Sequence, residues 1–443
     1  MTQAGGLFDG FEGYRTPREE DFQRVMNEGL VVLDTNVLLD LYRMNRRMRE
    51  DMQRALTELG ERLWIPHQVV REFWRNQQQE GVLGHHQAKS RQARADLDKA
   101  GESVQHALNR WSKDVHLTEG SPVHAELEQA RERFRQALDA LSGLIDGQSA
   151  DDQVPGTPDT HTDPVITHLE RLLSGKVGPP MEPAGYAEAV AEAKRRAGRR
   201  QPPGYKDYEQ DAKDEEGAAG DYLLWRQLLT EAQQRGGDVL FVTRDLKEDW
   251  WRLPTTRTGR LPRVELVDEL RRASGGRLFM LEPSGFLAQA TQAFALQHTV
   301  DERSVAGLRQ METDWDDQSV TQVLLELLRA DAGAQFKVIL HAGRNGGLVD
   351  RDTVYRLSGY GPERSLRGFT RPVHTATRRV QERGVIPQAL DDLLSAVHDS
   401  DDGPATGFRV ADAAHAALQS LPEVPALDAG DGDFAETGPT GQT

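Results

Sequence analysis

Two short apolar segments, each followed closely by an aspartate, constrain the fold of this chain more than any other feature. Residues 29–33 and 238–243 are nearly continuous apolar runs rich in Val and Leu, which is typical of strands buried on both faces. Further strand-like segments at 62–66 and 277–281 alternate with segments of helical periodicity. Strands that alternate with helices favour right-handed parallel crossovers, so the sequence predicts an α/β sandwich with a parallel central sheet within residues 1–297.

Four acidic residues stand where these strands end or where a helix begins. Asp34 and Asp245 follow the two apolar strands, Glu72 lies in the first turns of a helix after the second strand, and Asp221 opens an apolar helix. Taken singly, each is open to the alternative of a helix cap or capping turn. The carboxyl ends of parallel strands meet at one edge of a sheet, so we expect the four acids to converge there.

Such a carboxylate cluster predicts a site for a hard divalent cation. Unneutralised carboxylates would repel one another and raise each other's pKa, and Mg²⁺ or Mn²⁺ would relieve that repulsion. Two ions about 4 Å apart could activate a water and stabilise the leaving oxygen during hydrolysis of a phosphodiester. We expect Asn36 and Thr243 to orient ligands or water around the four acids. Asp249 is a candidate fifth ligand, with a structural role as the alternative.

Composition narrows the class of protein. The chain has 443 residues, which predicts more than one domain, and a formal net charge of −17, which argues against a protein that coats nucleic acid non-specifically. Cysteine is absent, so disulfides, thiolate zinc sites and cysteine nucleophiles are excluded. The sequence shows neither a signal-peptide pattern nor an apolar stretch near the roughly 20 residues of a membrane span, so we expect a cytoplasmic protein.

A long helical insert interrupts the α/β pattern at about residues 85–147. Apolar residues recur at spacings of three and four along 123–141, and Gly120-Ser121-Pro122 predicts a break between two helices. One interpretation is a helical hairpin that extends or shields the α/β domain. The other is an arm that binds a partner or joins copies of the chain into a homo-oligomer.

The motifs around the four acids resemble those of PIN-domain nucleases. They are Val31-Val32-Leu33-Asp34-Thr35-Asn36, Ile65-Pro66-His67-Gln68-Val69-Val70-Arg71-Glu72-Phe73, Gly220-Asp221 and Phe241-Val242-Thr243-Arg244-Asp245. Further segments resemble the bacterial PIN-like subfamily: Pro202-Pro203-Gly204-Tyr205-Lys206-Asp207, Gly220-Asp221-Tyr222-Leu223-Leu224-Trp225 and Lys247-Glu248-Asp249-Trp250-Trp251. The resemblance covers about residues 29–290.

The resemblance implies a three-layer α/β/α sandwich with a Mg²⁺ or Mn²⁺ site, and hydrolysis of phosphodiesters, most of all as an endoribonuclease. Some branches of the superfamily act on structured DNA instead. Carried over to this chain, the metal-binding and catalytic acids are Asp34, Glu72, Asp221 and Asp245. The resemblance also suggests a toxin or defence role, with a protein inhibitor or regulator as partner. Two alternatives stay open: a non-catalytic module that holds nucleic acid or protein, and a phosphotransfer protein with Asp34 as nucleophile.

The rest of the chain predicts a second domain and a tail. Residues 298–312 are polar and predict a linker, and 421–443 predict an acidic disordered tail. Residues 313–420 predict a mostly helical domain, either all-helical or winged-helix. A helix predicted at 365–381 would be the recognition helix of a helix-turn-helix.

Basic residues in two segments are candidate contacts to nucleic acid, with RNA favoured over DNA. They are Arg199, Arg200, Lys206, Arg367, Arg371 and Arg378. The first three lie in a basic, turn-forming segment, and the last three lie on the predicted recognition helix. For that helix, a solvated basic face and a protein-binding face are the alternatives.

Overall fold

The computed structural model describes the larger part of the chain. The described residues are 6–157, 159–209, 215–255, 259–313, 315, 317–361, 363–382, 386, 390, 392–398, 405–411, 414–415 and 417–418. The predicted acidic tail, 421–443, lies outside them. In the described part of the chain, no helix has both the length and the apolar character needed to cross a bilayer.

Within these residues, the first unit contains six strands and fourteen helices. The strands are β1 (Leu30–Leu33), β2 (Leu63–Trp64), β3 (Gly237–Val242), β4 (Trp251–Thr255), β5 (Gly259–Pro262) and β6 (Gly275–Leu281). The helices before the insert are α1 (Glu19–Glu28), α2 (Thr35–Arg43), α3 (Arg46–Glu58), α4 (His67–Asn76) and α5 (Glu80–Leu83). The insert and the remainder supply α6 (His85–Asp114), α7 (Pro122–Asp152), α8 (Pro164–Leu173), α9 (Pro183–Gly198), α10 (Glu215–Ala218), α11 (Gly220–Arg235), α12 (Val264–Ser274), α13 (Pro283–Ala293) and α14 (Glu302–Thr313).

The central sheet has the strand order β2-β1-β3-β6, and all of its pairings are parallel. Leu33 at the end of β1 lies beside Val242 at the end of β3, so the residues that follow both strands emerge at one edge. Both strands are fully buried at their carboxyl ends, which explains their unbroken apolar sequences. The prediction of a parallel sheet is therefore confirmed.

Helices cover both faces of this sheet. One layer contains α1, α13 and α3, in which α13 contacts both α1 and α3 and α1 contacts β1 and β3, and the other contains α4, α11 and α12. This is the three-layer α/β/α sandwich that the resemblance implied. A single hydrophobic core unites the layers, with Trp225, Phe241 and Trp250 among its largest fully buried side chains.

Three local features were not evident from the sequence. The segment between β1 and β2 forms two helices rather than one, because the Asn45 side chain accepts a hydrogen bond from the Met48 N–H (2.8 Å) and starts α3. The antiparallel hairpin β4–β5 was not predicted. The polar stretch 298–312 is not a simple linker, because most of it forms α14, which packs on α13 and α3.

The end of α14 is held by a buried carboxylate. Glu312 accepts hydrogen bonds from the Ser284 N–H and hydroxyl, both at 2.5 Å, and is only 5% exposed. Burial and the neighbouring Glu282 raise the pKa of Glu312 to about 7, although the bonds from Ser284 and the charge of Arg244 act in the opposite direction. Although the sequence of α14 is polar, its last turn therefore makes a specific contact with the α/β unit through Glu312 and Ser284.

We expect the contact of α14 to weaken as pH rises. Because the folded pKa of Glu312 is raised from 4.5 to about 7, the native state holds its proton more tightly than the unfolded chain does. The stabilising contribution is complete below pH 4.5 and is lost by about pH 7; at most it amounts to about 3 kcal/mol. Glu312→Gln should flatten the unfolding free energy between pH 4.5 and 7, whereas Glu302→Gln on the same helix should not. An unchanged slope in Glu312→Gln would refute this assignment.

The insert forms the predicted two-helix hairpin. Helices α6 and α7 pack against each other, and Ser121 caps α7 by accepting a hydrogen bond from the His124 N–H (3.2 Å). Near the base of the hairpin, Asp146 on α7 accepts from the Ser90 hydroxyl on α6 (2.7 Å). Large apolar side chains on both helices remain exposed, among them Trp111 and Phe134.

The C-terminal unit has its own hydrophobic core and a small antiparallel sheet. Its elements are α15 (Asp317–Arg329), α16 (Gly333–Arg344), β7 (Leu348–Asp350), α17 (Arg351–Ser358), α18 (Arg371–Glu382), β8 (Leu394–His398) and β9 (Ala405–Val410). The sheet order is β7-β9-β8. From α16 onward, the elements run helix, strand, two helices and two strands, an order compatible with the winged-helix alternative.

The helix predicted at 365–381 begins later, at Arg371. Pro372 occupies its second position, where the missing N–H costs nothing because the first turn has no intrahelical acceptor. Arg371 and Arg378 are exposed and seven residues apart, so they lie on one face of α18. Arg367 is exposed in the turn that precedes the helix.

Candidate active site

A cavity of about 690 Å³ opens at the carboxyl edge of the parallel sheet. Three of the four predicted acids, Asp34, Glu72 and Asp221, line it together with Lys247. The other lining residues are Thr35, Asn36, Leu39, Gln68, Arg71, Arg75, Asn76, Tyr186, Asp207, Glu216, Gly217 and Gly220. Asp245 lies behind this surface and reaches it through its ion pair with Lys247. The convergence of the acids at one edge therefore follows the positions of the strand ends.

Asp34 is held by three hydrogen bonds from the residues around it. Its Oδ1 accepts from the Thr35 N–H (2.6 Å), and its Oδ2 accepts from the Asn36 amide (2.7 Å) and the Thr243 hydroxyl (2.5 Å). Asn36 in turn accepts from the Arg244 N–H (3.0 Å), so β1 and β3 are joined directly beyond their last residues. The structure thus places Asn36 and Thr243 around Asp34, as expected for orienting residues.

Glu72 reaches the same cavity from α4. Its Oε2 accepts from the Thr35 hydroxyl (2.9 Å) and its Oε1 from the Gln68 amide (2.7 Å). Thr35 therefore contacts Asp34 through its N–H and Glu72 through its side chain. Gly220 lies directly against Glu72: a Cβ there would stand 2.6 Å from Oε1. The glycine before Asp221 is required because α11 and the Glu72 carboxylate approach so closely.

Asp221 and Asp245 share a buried lysine that sequence reasoning did not single out. The Lys247 Nζ lies 3.0 Å from Asp221 Oδ2, 2.8 Å from Asp245 Oδ2 and 2.9 Å from Asp207 Oδ1. Asp207 lies within one of the family-like motifs, but neither its type nor its position marked it as a site residue. The signal available in the sequence was a lysine two residues after a strand-end aspartate, a pattern too common to indicate a buried ion pair.

Gly204 explains how Asp207 arrives at this cluster. The residue adopts φ +85°, and a Cβ there would stand 3.2 Å from Asp221 Cβ, so the turn passes close to the start of α11. Asp207 follows in a short helical turn and is almost completely buried.

Asp249, the candidate fifth ligand, lies in the protein interior and does not line the cavity. Its Oδ2 accepts from the Lys206 N–H (3.0 Å), and its Oδ1 is buried without a hydrogen-bond partner among the described residues. Burial and the aspartates nearby raise the pKa of Asp249 to about 6, while the charge of Lys247 lowers it. Trp250 beside it is buried in the core and donates to Asp221 Oδ2 (3.3 Å).

The charges in this cluster perturb one another strongly. Burial raises the pKa of Asp34 to about 7, and the negative charges of Asp245 and Glu72 act in the same direction. The hydrogen bond from Thr243 opposes this shift. Desolvation raises the pKa of Asp221 well above its usual range, although the ammonium of Lys247 opposes the shift. Burial lowers the pKa of Lys247, but the surrounding carboxylates raise it by more, so the ammonium stays protonated. Excess negative charge among closely placed carboxylates is the condition that a bound cation relieves.

One wall of the cavity is cationic. Arg71 and Arg75 both extend from α4 into the lining, one turn apart, and Glu72 on the same helix lines the cavity as well. The Arg71 guanidinium donates to the Tyr186 hydroxyl (2.7 Å), lies 5.4 Å from the Tyr186 ring and pairs with Glu216. Arg75 is exposed and makes no ion pair with any described residue. Sequence reasoning selected neither arginine.

The predicted basic contacts at 199–206 lie elsewhere. Lys206 pairs with Glu248 (2.8 Å) and Arg200 lies 3.7 Å from the same carboxylate. Arg199 is exposed at the end of α9, and none of the three lines the cavity. They stay predicted contacts for a nucleic acid that extends beyond the cavity.

The oxygen donors suit a hard cation that keeps part of its water shell. Within the described residues, no three carboxylate or imidazole groups converge into a ready-made cage. Mg²⁺ does not require one, since it usually binds through one or two carboxylates and several waters. Asp34 Oδ1 and both oxygens of Glu72 accept one hydrogen bond each, and Asp221 Oδ1 accepts none from the described residues. These atoms face one cavity with lone pairs available.

The fold and the cavity define a class: an α/β/α protein with acidic side chains at the carboxyl edge of a parallel sheet, the edge at which open α/β folds bind their ligands. A family model described as a PIN-like domain matches residues 30–266, more than half of the 443 residues. The chain belongs to the PIN-like domain family, and the resemblance seen in its motifs is confirmed. PIN-like domains are of a nuclease-type superfamily and are generally dependent on divalent metal. No curated protein and no solved structure matches the chain significantly.

Proposed function

We propose that this protein is a divalent-metal-dependent nuclease that hydrolyses phosphodiester bonds in RNA as an endoribonuclease. The observation that carries the proposal is the cavity at the sheet edge, which Asp34, Glu72 and Asp221 all line. Membership of the PIN-like family supports a nuclease-type protein. The acidic residues of the cavity, next to Arg71 and Arg75, support hydrolysis of a phosphodiester. Asp34, Glu72 and Asp221 are the proposed catalytic and metal-binding acids, and Asp245, the fourth acid predicted from the sequence, is proposed to act through Lys247.

Asp34, Glu72 and Asp221 would hold Mg²⁺ or Mn²⁺, and a bound ion would supply an activated water and neutralise charge on the phosphate. Thr35, Asn36 and Thr243 fix the orientation of Asp34, so its Oδ1 keeps one lone pair directed towards the cavity. Asp245 acts from behind by fixing Lys247 at the cavity wall. The two-ion mechanism expected from the sequence requires room for a second cation beside these groups.

The cationic wall supports a single-stranded substrate. Arg71 lies against the Tyr186 ring, and such aromatic and guanidinium surfaces stack on unpaired bases. Arg75, one turn along α4, has no acidic partner among the described residues and is available to a phosphate. A strand lying along α4 would bring its backbone past Glu72 and into the cavity.

Arg75→Ala should weaken binding of single-stranded RNA without changing the fold. Loss of one phosphate contact should reduce the slope of log affinity against log salt by about 0.7. The measurement is fluorescence anisotropy over a salt series, made in the Asp34→Asn background so that the RNA is not cut. Arg133→Ala on the exposed face of α7 is the matched control. An unchanged slope in Arg75→Ala would remove this residue from the RNA path.

The test of the proposed function is a cleavage assay on purified protein with mixed RNA and DNA substrates. We expect cleavage of RNA with Mg²⁺ or Mn²⁺, loss of cleavage with chelator, and little cleavage of DNA. Tight ion binding without cleavage of any substrate would favour the alternative of a non-catalytic module. Cleavage of structured DNA alone would support a nuclease but would contradict RNA as its substrate.

The winged-helix unit supports a second contact with nucleic acid. Arg371 and Arg378 share the exposed face of α18, and Arg367 precedes it, so these three stay the proposed contacts of the recognition helix. Arg371→Ala in the same anisotropy assay separates this role from a merely solvated basic face, which would leave affinity unchanged. The homo-oligomer through the insert, the protein inhibitor or regulator, the toxin or defence role and the cytoplasmic location stay predictions.

A further inference from the structure

The ammonium of Lys247 is surrounded by carboxylates. Three carboxylate oxygens lie within 2.8–3.0 Å of Nζ, one each from Asp207, Asp221 and Asp245, and Nζ donates a hydrogen bond to Asp221 Oδ2. The Lys247 side chain is 7% exposed and still contributes to the cavity lining. The chain has therefore built a fixed cation into its own acidic site.

Hydrogen bonds between backbone groups and neighbouring side chains fix the position of Lys247. Its N–H donates to Asp245 Oδ1 (2.9 Å), so the same carboxylate holds both ends of the residue. The Asp245 carbonyl accepts from the Trp251 indole (2.6 Å), and the Asp245 N–H donates to the Thr243 hydroxyl that binds Asp34 (2.9 Å). Moving the lysine away would expose two buried aspartates to each other without neutralisation, at a large cost.

Lys247 contacts the carboxylate oxygens that a second ion would need as ligands. A two-ion site requires a second cation about 4 Å from the first, held by shared and separate carboxylates. Here Asp221 Oδ2 and Asp245 Oδ2 are both committed to the ammonium, and Asp207, which would complete a second set of ligands, is committed as well. The oxygens left facing the cavity belong to Asp34, Glu72 and Asp221 Oδ1, enough for one ion with water ligands.

Resting on the proposed function, we propose that Lys247 takes the place of a second divalent ion, so that the site binds one ion per chain. The ammonium neutralises Asp221 and Asp245 and presents positive charge at the cavity wall, where the phosphate would lie. Asp207 is a positioning residue, because it acts on the site only by fixing the lysine. This assignment replaces the two-ion expectation with one ion and one built-in cation.

Isothermal titration with Mn²⁺ tests the proposal on the full chain, with binding as the readout and no substrate present. Wild type should bind one ion per chain at the site. Lys247→Met, which removes the charge and keeps the length of the side chain, should bind a second ion. Lys206→Met, a neighbouring lysine that pairs with Glu248 outside the cavity, should keep one. Lys247→Arg preserves the charge and should also keep one.

Each outcome decides the proposal. Two ions in wild type would overturn it and leave the nuclease function standing, whereas no ion in wild type would overturn both. One ion in wild type and still one in folded Lys247→Met would show that the lysine does not exclude a second ion, which also overturns it. If Lys247→Met does not fold, the wild-type count and Lys247→Gln decide. Lys247→Gln also removes the positive charge and keeps all three carboxylates, so a second ion should bind, and one ion alone would count against the proposal.

Discussion

Asp34→Asn should abolish metal-dependent RNA cleavage, with a loss of at least about a thousandfold, equivalent to about 4 kcal/mol of transition-state stabilisation. The amide removes the negative charge but keeps the shape of the side chain. Its carbonyl can take the place of Oδ2 and accept from the Asn36 amide and the Thr243 hydroxyl, so only the hydrogen bond from the Thr35 N–H is lost. The change also removes one of the mutually repelling carboxylates, so we expect the thermal midpoint to stay close to that of wild type.

Single-turnover cleavage of a labelled RNA with excess enzyme measures this loss directly. Asp98→Asn, on the exposed surface of α6, is the matched control and should retain wild-type activity. Retained cleavage by folded Asp34→Asn would refute the site assignment. Loss of cleavage together with loss of the cooperative unfolding transition would instead show a structural role.

Gly220→Ala should reduce activity by roughly a hundredfold while leaving stability unchanged or slightly higher. The new methyl group would stand 2.6 Å from Glu72 Oε1, so the carboxylate must move, and displacement of a catalytic group by about 1 Å costs on that order. Alanine is favoured over glycine in a helix, which offsets the local strain at the start of α11. The distinctive result for Gly220→Ala is a loss of activity without a loss of stability.

Gly185→Ala is the matched control, because a Cβ at that position in α9 meets no atom within 4 Å. It should show the gain in helix stability without the loss of activity. The measurements are cleavage rate and the midpoint of thermal unfolding for both variants. Full activity in Gly220→Ala would mean that the position of Glu72 is unimportant for the reaction.

Much of the α/β unit could be predicted because its determinants are local. A strand buried on both faces must be apolar along its whole length, so β1 and β3 are visible as runs, and the acids that follow them mark the sheet edge. The same reasoning brought Asp34 and Asp221 to one cavity. It did so without any information on distances, because parallel strands all present their carboxyl ends to the same side.

The remainder depends on contacts that no local pattern announces. Lys247 meets Asp207 from forty residues earlier, and only the turn at Gly204 brings them together. The polar sequence of α14 predicts a linker, because nothing in it shows that Glu312 is buried against Ser284. Burial of one carboxylate or one ammonium is a property of the assembled fold, so it could not be inferred from the residue type.

The order of the acidic residues along the chain has a consequence for biosynthesis. Asp34, Glu72, Asp207 and Asp221 all precede Lys247, which neutralises two of them. A nascent chain that has not yet emerged from the ribosome beyond this lysine lacks β6 and has two aspartates without their counter-ion. We therefore expect the cavity to form only after most of the domain has been translated, and the proposed nuclease to be inactive until then.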